Sequence, residues 1–291
     1  MKQAPEILPF SSLVPRYAAF LLDAYGVFWG SNEVGMLPGA AEAMKRLVRE
    51  GKRVGILSNS TQLAQKEVDK LAKHGILQGI HYHFFVTSGE ITRSLLLQDR
   101  LPFATPRKTF WLFGKPNLPL FHGTMYEQTE TLEAADFIYL GVPQIGDLDQ
   151  EDPTLFHAAV QQAAINHIPV LCANPDQFAH EGLPPRLVVR QGSIATLFLN
   201  AGCPIHYVGK PSLLAYETAL AQLPSSIEKR QILMVGDTPE TDIRGAKGAH
   251  LSAALVTKTG VMAERIQKGS LSVLNALSEQ DLPDFLIERF Q

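Results

Sequence analysis

Four short stretches close apolar runs with residues able to do acid, metal or anion chemistry: Asp23 in FLLDAYG, Ser58 and Asn59 in ILSNSTQ, Lys210 in VGKPS, and Asp237 with Asp242 in VGDTPETD. Three carboxylates brought to one place cannot all ionise without a cation, because like charges raise one another's pKa. A hard divalent ion resolves the conflict, and Mg2+ takes a few carboxylates, waters and a substrate phosphate. Asp23 and Asp237 are the expected direct ligands, with the Tyr25 carbonyl as a neutral third and Asp242 close by or acting through water. Lys210 would offset charge on an attacking carboxylate and on a phosphoryl group. Ser58 and Asn59, at a strand-to-helix turn, offer a hydroxyl, an amide and N–H groups as an anion cradle.

Each stretch also has a purely structural reading. An Asp closing a strand stabilises the turn into Gly26, and Asp237 and Asp242 suit an N-cap and a first-turn acid. Lys210, extended before Pro211, suits a helix start, and Asn59 or Ser60 suits a cap. Shared position favours the chemical reading. The runs FLL, RVGIL, IHYVG and ILMVG alternate with helical patterns near 40–50, 62–73, 153–166, 212–222 and 240–248. Further apolar runs lie at 83–89, 108–114, 136–141, 168–174 and 251–256. This alternation predicts βαβ units and a parallel sheet, whose ligands sit beyond the carboxyl ends of the strands.

The expected fold class is α/β, a Rossmann-like parallel-sheet core interrupted by a second α/β unit. The boundaries read as 1–92 for the first part of the core, 93–187 for the insert and 188–291 for the second part. IHYVG (205–209) is assigned to the resumed core, and LSEQDLPDFLIERF near the C-terminus reads as an amphipathic helix.

The chain has 291 residues, 45% hydrophobic and 19% charged, enough for a sizeable core. Its net charge of -3 comes from interspersed charges with no basic block, which argues against a nucleic-acid partner. Cys172 and Cys203 form no CxxC pair and read as free buried thiols in a reducing compartment. MKQAPEILPF lacks the apolar region of a leader, and no run approaches the ~18 residues of a membrane helix, so a cytoplasmic location without a membrane partner is expected. His81 and His83 lack a third metal ligand nearby and read as a strand start. VGKPS lacks the earlier glycine of a P-loop. Phe28, Trp29, Phe110, Trp111 and Phe113 read as packing, with a lid over an aromatic substrate as the alternative.

As a set, Asp-x-x-Gly-Val at Asp23–Val27, the Ser-Asn turn at Ser58, Gly-Lys-Pro at 209–211 and Gly-Asp-x-x-x-x-Asp at 236–242 resemble the haloacid dehalogenase superfamily of aspartate-nucleophile hydrolases. TSGE (87–90) and ANPD (173–176) resemble the hinge and cap segments of its NagD-like class IIA branch, and the likeness covers nearly the whole chain. The resemblance implies an α/β cap of the C2 type as the insert and a Mg2+-dependent phosphatase acting on a small phosphoester. Asp23 would attack phosphorus and form an aspartyl-phosphate, while Ser58, Asn59 and Lys210 hold the phosphoryl oxygens. Mg2+ would be held by Asp23, the Tyr25 carbonyl, Asp237 and Asp242. Members of the branch often associate through their caps, so a cap-joined homo-oligomer is the assembly that the resemblance allows.

Tyr25 departs from the family pattern, which places there a second Asp that protonates the leaving alcohol and later activates water. A phenol of ordinary pKa near ~10 donates a proton but is a poor base at neutral pH. Alkyl phosphates are therefore expected to turn over slowly unless the insert supplies a donor such as His180 or Asp176. Two other readings stand beside this one. DAYG also resembles the opening motif of the 2-haloacid dehalogenases, whose reaction needs neither metal nor general acid; the two further acids in GDTPETD argue against it. A non-catalytic phosphometabolite-binding protein is the third reading, and Tyr25 alone supports it.

Overall fold

The structure, a computed structural model, describes residues 5–31, 33–115, 118–184 and 186–291; the first four residues of MKQAPEILPF lie outside it. In chain order the first strands are β1 (Ile7–Leu8), β2 (Ala19–Leu22), β3 (Arg53–Ser58) and β4 (Phe84–Thr87), with helices α1 (Ala40–Arg49), α2 (Ala64–Lys73) and α3 (Ser88–Leu97) between and after them. Next come β5 (Thr109–Phe113), β6 (Glu127–Gln128), β7 (Phe137–Leu140), the pair β8 (Gln144–Ile145) and β9 (Leu148–Asp149), α4 (His157–Ala163) and β10 (Val170–Cys172). A hairpin, β11 (Phe178–Glu181) and β12 (Arg186–Val189), leads to α5 (Gln191–Asn200), β13 (Ile205–Tyr207) and α6 (Leu213–Leu220). The chain ends through β14 (Ile232–Gly236), α7 (Arg244–Gly248), β15 (Ser252–Val256), α8 (Gly260–Gly269) and β16 (Phe285–Ile287).

Among the described residues the strands form a seven-stranded sheet, ordered β1-β16-β15-β14-β2-β3-β4, and a five-stranded sheet, ordered β13-β10-β7-β5-β6. Every pairing in both is parallel, as the alternation of strands and helices requires. From β2 the chain winds outward through β3 and β4, and it returns on the other side through β14 and β15. The strand order thus reverses between β2 and β14, and the crevice at their carboxyl ends is the switch point where parallel sheets bind ligands.

The buried strands alternate between two layers. Phe20, Leu22, Leu233 and Val235 pack with Met44 and Leu47 of α1, while Leu21 and Met234 pack with Tyr216 of α6 and Ala246 of α7. The second layer runs on into the five-stranded sheet, where Phe110, Phe137, Tyr139 and Leu171 share one apolar cluster with Leu57, Phe84 and Tyr216. The opposite face of that sheet, through Ile138, Leu140 and Val170, packs against Val160 of α4 and Phe198 of α5. No helix among the described residues is long and apolar enough to cross a membrane.

Two sequence expectations need correction. IHY does not resume the first sheet: Ile205–Tyr207 pairs with Val170–Cys172 in the second one, so that sheet draws on residues as late as Tyr207. The C-terminal stretch is not an amphipathic helix, because Phe285–Ile287 forms a strand paired with Ala254–Val256 and buries Leu286 and Ile287. Pro283 and the short run FLI suit a strand entry better than a helix, and pairing with β15 removes both apolar side chains from water. Leu286→Ala should accordingly lower unfolding free energy by about 2–5 kcal/mol in urea titrations, the range of a buried leucine; a change of about 0.5 kcal/mol or less would be that of a surface helix position.

Candidate active site

Asp23 follows β2, and its N–H continues the ladder by donating to Val235 O at 2.9 Å. The register therefore sets Asp23 beside the end of β14, from which Asp237 emerges one residue after Gly236. Asp23, Asp237 and Asp242 are all buried and each offers an oxygen within 4.8 Å of the other two. Asp237 Oδ1 accepts the Thr238 hydroxyl (3.0 Å), and Oδ2 accepts the Val261 N–H (2.6 Å). It is seated between Gly26 and Gly260, where an added Cβ would come within 2.2 and 1.9 Å of Oδ2; both have positive φ. Asp242 turns back toward the strand end, and its Oδ2 accepts the N–H groups of Asp237 and Thr238, each at 3.1 Å.

Lys210 enters this cluster from the other sheet. It follows β13, and its fully buried ammonium donates to Asp23 Oδ1 (2.6 Å) and Asp242 Oδ1 (2.7 Å). Asn59, just past β3, uses its side-chain amide on the Lys210 main chain, accepting the N–H at 2.7 Å and donating to the carbonyl at 3.1 Å. Ser58 is buried, and its Oγ accepts the Ser60 N–H (3.2 Å), which leaves the hydroxyl hydrogen to turn toward a ligand. The structure thus brings together Asp23, Ser58, Asn59, Lys210, Asp237 and Asp242. It adds Asp176, whose Oδ1 accepts from Asn59 Nδ2 at 2.9 Å and which the sequence marked through ANPD and as a candidate proton donor from the insert.

One lysine faces three buried carboxylates, and the cluster is short of positive charge. Burial first, then Asp242 and Asp237, push the Asp23 carboxyl well above the carboxylate range in spite of Lys210. Burial and Asp242 raise Asp237 to about 7. Burial works against the Lys210 ammonium, yet Asp23 and Asp242 outweigh it and raise its pKa well above the ordinary lysine value. A hard divalent cation fits this donor set. Asp23 and Asp237 keep more accepting capacity for it, with one hydrogen bond on Asp23 Oδ1 and one on each Asp237 oxygen, whereas Asp242 accepts three, from Lys210 on Oδ1 and from two N–H groups on Oδ2, which suits a supporting place behind the ligands.

Tyr25 turns toward α2. Its hydroxyl accepts from Lys70 Nζ (2.8 Å), Lys70 pairs with Glu67 (2.6 Å), and Glu67 accepts the Ser60 hydroxyl (2.6 Å). Burial, then Glu67, raise the phenol's pKa further, so Tyr25 stays protonated through neutral pH. These groups open into a cavity of about 740 Å3. The β11–β12 hairpin roofs it and is pinned to the first unit by polar contacts: His180 to Glu264 (2.9 Å), the Gly182 N–H to Glu33 (3.1 Å) and the Ser31 hydroxyl to Gly182 O (3.3 Å). Phe28, Trp29, Phe110 and Phe113 are buried in the apolar clusters and do not line the cavity. His81 and His83 each accept a backbone N–H, from Leu77 and Val54, and Cys172 and Cys203 are free and buried.

The raised Asp237 pKa carries a stability signature. Between 3.8 and about 7 the cation-free folded chain holds a proton that the unfolded chain has released, so stability falls as pH rises through that window. In a chelator, Asp237→Asn should raise the melting temperature above the wild type at about pH 8, and the gain should vanish on acidification to about pH 4. Thermal denaturation across that pH range, with and without Mg2+, measures both limbs.

Two family models match the chain, a haloacid dehalogenase-like hydrolase model over residues 20–119 and an HAD-hydrolase-like model over 207–280. Between them they contain Asp23, Ser58, Asn59, Lys210, Asp237 and Asp242. The chain is 25% identical over 274 residues to the 4-nitrophenylphosphatase of Schizosaccharomyces pombe, covering 88% of each chain. It superposes on a haloacid dehalogenase-like hydrolase from Brucella suis 1330 with TM-score 0.78 at 25% identity, covering 97% of this chain and 98% of that one. NagD from E. coli K-12, 21% identical with TM-score 0.60 over 94% and 97% of the two chains, shares the fold. The motifs, the clustered carboxylates and these likenesses coincide: the chain belongs to the haloacid dehalogenase superfamily.

Proposed function

We propose that the chain is a Mg2+-dependent phosphatase that cleaves a small phosphoester through an aspartyl-phosphate on Asp23 and is slow on alkyl phosphates. One observation carries the reading: Lys210 Nζ joins Asp23 and Asp242 inside a buried cluster that also holds Asp237. A carboxylate so placed, at a sheet edge facing a cavity, suits nucleophilic attack better than turn stabilisation. The similarity to a 4-nitrophenylphosphatase supports the reaction class. Interspersed surface charge and two free buried thiols support a cytoplasmic enzyme with a small-molecule partner.

In this mechanism an Asp23 oxygen attacks phosphorus in line, the ester P–O bond breaks and the leaving oxygen takes a proton from the Tyr25 phenol or from solvent water. Water then attacks the aspartyl-phosphate, releasing phosphate and restoring the Asp23 carboxylate. Lys210 holds Asp23 at a fixed angle and draws charge from the phosphoryl group as it builds up in the transition state. The Ser58 hydroxyl and the N–H groups of the turn after β3 receive phosphoryl oxygens, while the Asn59 amide serves the site through the Lys210 main chain. Mg2+ would be held by Asp23, Asp237 and the Tyr25 carbonyl with Asp242 behind them, and would neutralise the carboxylates and polarise the phosphoryl group. The second sheet, its helices and its hairpins are read as the cap, with the β11–β12 hairpin lining one side of the cavity.

The Tyr25 phenol can give a proton but returns it poorly, and a missing positioned acid–base group typically forfeits about 10²- to 10⁴-fold in rate. A phosphoester panel with and without Mg2+ tests the proposal. The expected result is hydrolysis abolished by EDTA and by Asp23→Asn, with 4-nitrophenyl phosphate cleaved about 10²-fold or more faster than a sugar phosphate. Tyr25→Asp should accelerate the sugar phosphate most. Equal rates on both ester classes would sink the account of Tyr25. Chelator-resistant release of chloride from a chloroacid would replace the phosphatase with a dehalogenase, and Mg2+-dependent phosphate binding without turnover of any ester would make the protein a binder.

A further inference from the structure

Asp176 has no role in the mechanism above, yet its surroundings are built with little slack. It leaves β10 as Lys210 leaves β13, and these are neighbouring strands of the second sheet. The Asp176 N–H donates to Asn174 Oδ1 (3.0 Å) and its carbonyl accepts the Gly192 N–H (3.0 Å). A Cβ on Gly209 would lie 2.3 Å from Asn59 Oδ1 and 2.8 Å from Pro175 Cδ, so the two crossings and Asn59 are in close contact. The carboxyl lines the cavity and accepts from Asn59 Nδ2 at 2.9 Å.

Asn59 needs such a neighbour. An amide side chain has one accepting and one donating end of nearly equal shape, and only its partners decide which way it faces. Here the oxygen must meet the Lys210 N–H and the nitrogen the Lys210 carbonyl, and both contacts fail if the amide turns over. The second hydrogen on Nδ2 goes to Asp176, an acceptor that would repel the amide oxygen. The choice matters because the Lys210 side chain is long and its ammonium must rest between two carboxylates at 2.6 and 2.7 Å.

We propose that Asp176 and Asn59 are positioning residues for this reaction: Asp176 fixes the orientation of the Asn59 amide, and the amide fixes the Lys210 main chain so that Nζ bridges Asp23 and Asp242. The pair couples the seating of the second sheet to assembly of the nucleophile. It rests on the phosphatase reading for its kinetic test and on geometry alone for its structural one.

Asp176→Ala should lower kcat about 10- to 100-fold, the scale of a small misplacement at a reacting centre, with KM little changed. The loss should be the same on aryl and alkyl phosphates, because Lys210 acts on the phosphoryl end whatever leaves. Asp176→Asn, which keeps an accepting oxygen for Asn59, should recover most of it. A loss confined to alkyl esters and equally severe in Asp176→Asn would overturn the proposal and make Asp176 a proton donor; an unchanged kcat in Asp176→Ala would overturn it outright. Thermal unfolding of Asn59→Ala, Asp176→Ala and the double variant supplies a readout that does not need turnover. A double variant no less stable than the worse single one supports the coupling, and additive losses reject it even if no phosphoester is hydrolysed.

Discussion

A buried ammonium held between two carboxylates is the constraint to which the rest of the molecule answers. Charges removed from water are tolerated only when they are paired and their remaining hydrogen-bonding capacity is used. Lys210 satisfies Asp23 and Asp242 together, and Asp242 spends its second oxygen on two N–H groups of the turn after β14. Asp237 meets the same demand through Thr238 and Val261. One ammonium against three carboxylates leaves the balance two charges short, a deficit that a divalent cation would fill.

The fold delivers these groups from opposite directions. Parallel strands on both sides of the switch point supply Asp23, Ser58, Asn59 and Asp237, while Lys210 and Asp176 descend from neighbouring strands of the other sheet. The cluster is therefore an interface between two sheets rather than a feature of one. Fully buried strands such as AFLL and ILMVG, apolar toward both layers, anchor the ends from which the carboxylates project.

Much of this was legible in the sequence. Strands such as RVGILS and helices such as AAEAMKRLVR announce themselves by apolar runs and by helical spacing, and Asp23, Ser58, Lys210 and Asp237 each stand at the close of such a run. The parent sheet of IHY was not legible, since a short apolar run carries no record of its pairing partner and both sheets are parallel. FLI was hidden by the polar residues before it, which suggested helical spacing where a three-residue strand completes the sheet edge. Asp176 was legible as a motif residue and a candidate proton donor but not as a partner of Asn59, because that contact lies in the facing direction of an amide from another strand. The hairpin over the cavity was missed because FAHE and RLVV are only partly buried and lack a clear alternating pattern.

The apolar cluster shared by the two sheets has a bearing on traffic through the cavity. Phe110, Phe137 and Tyr139 are packed with Leu57 and Tyr216 in one dry seam, and prising it open would wet several aromatic side chains at once. The hairpin overhead is secured by side chains that water can replace, bond for bond, at His180, Glu33 and Ser31. Breaking those polar contacts would therefore expose less apolar surface than parting the two sheets beneath them.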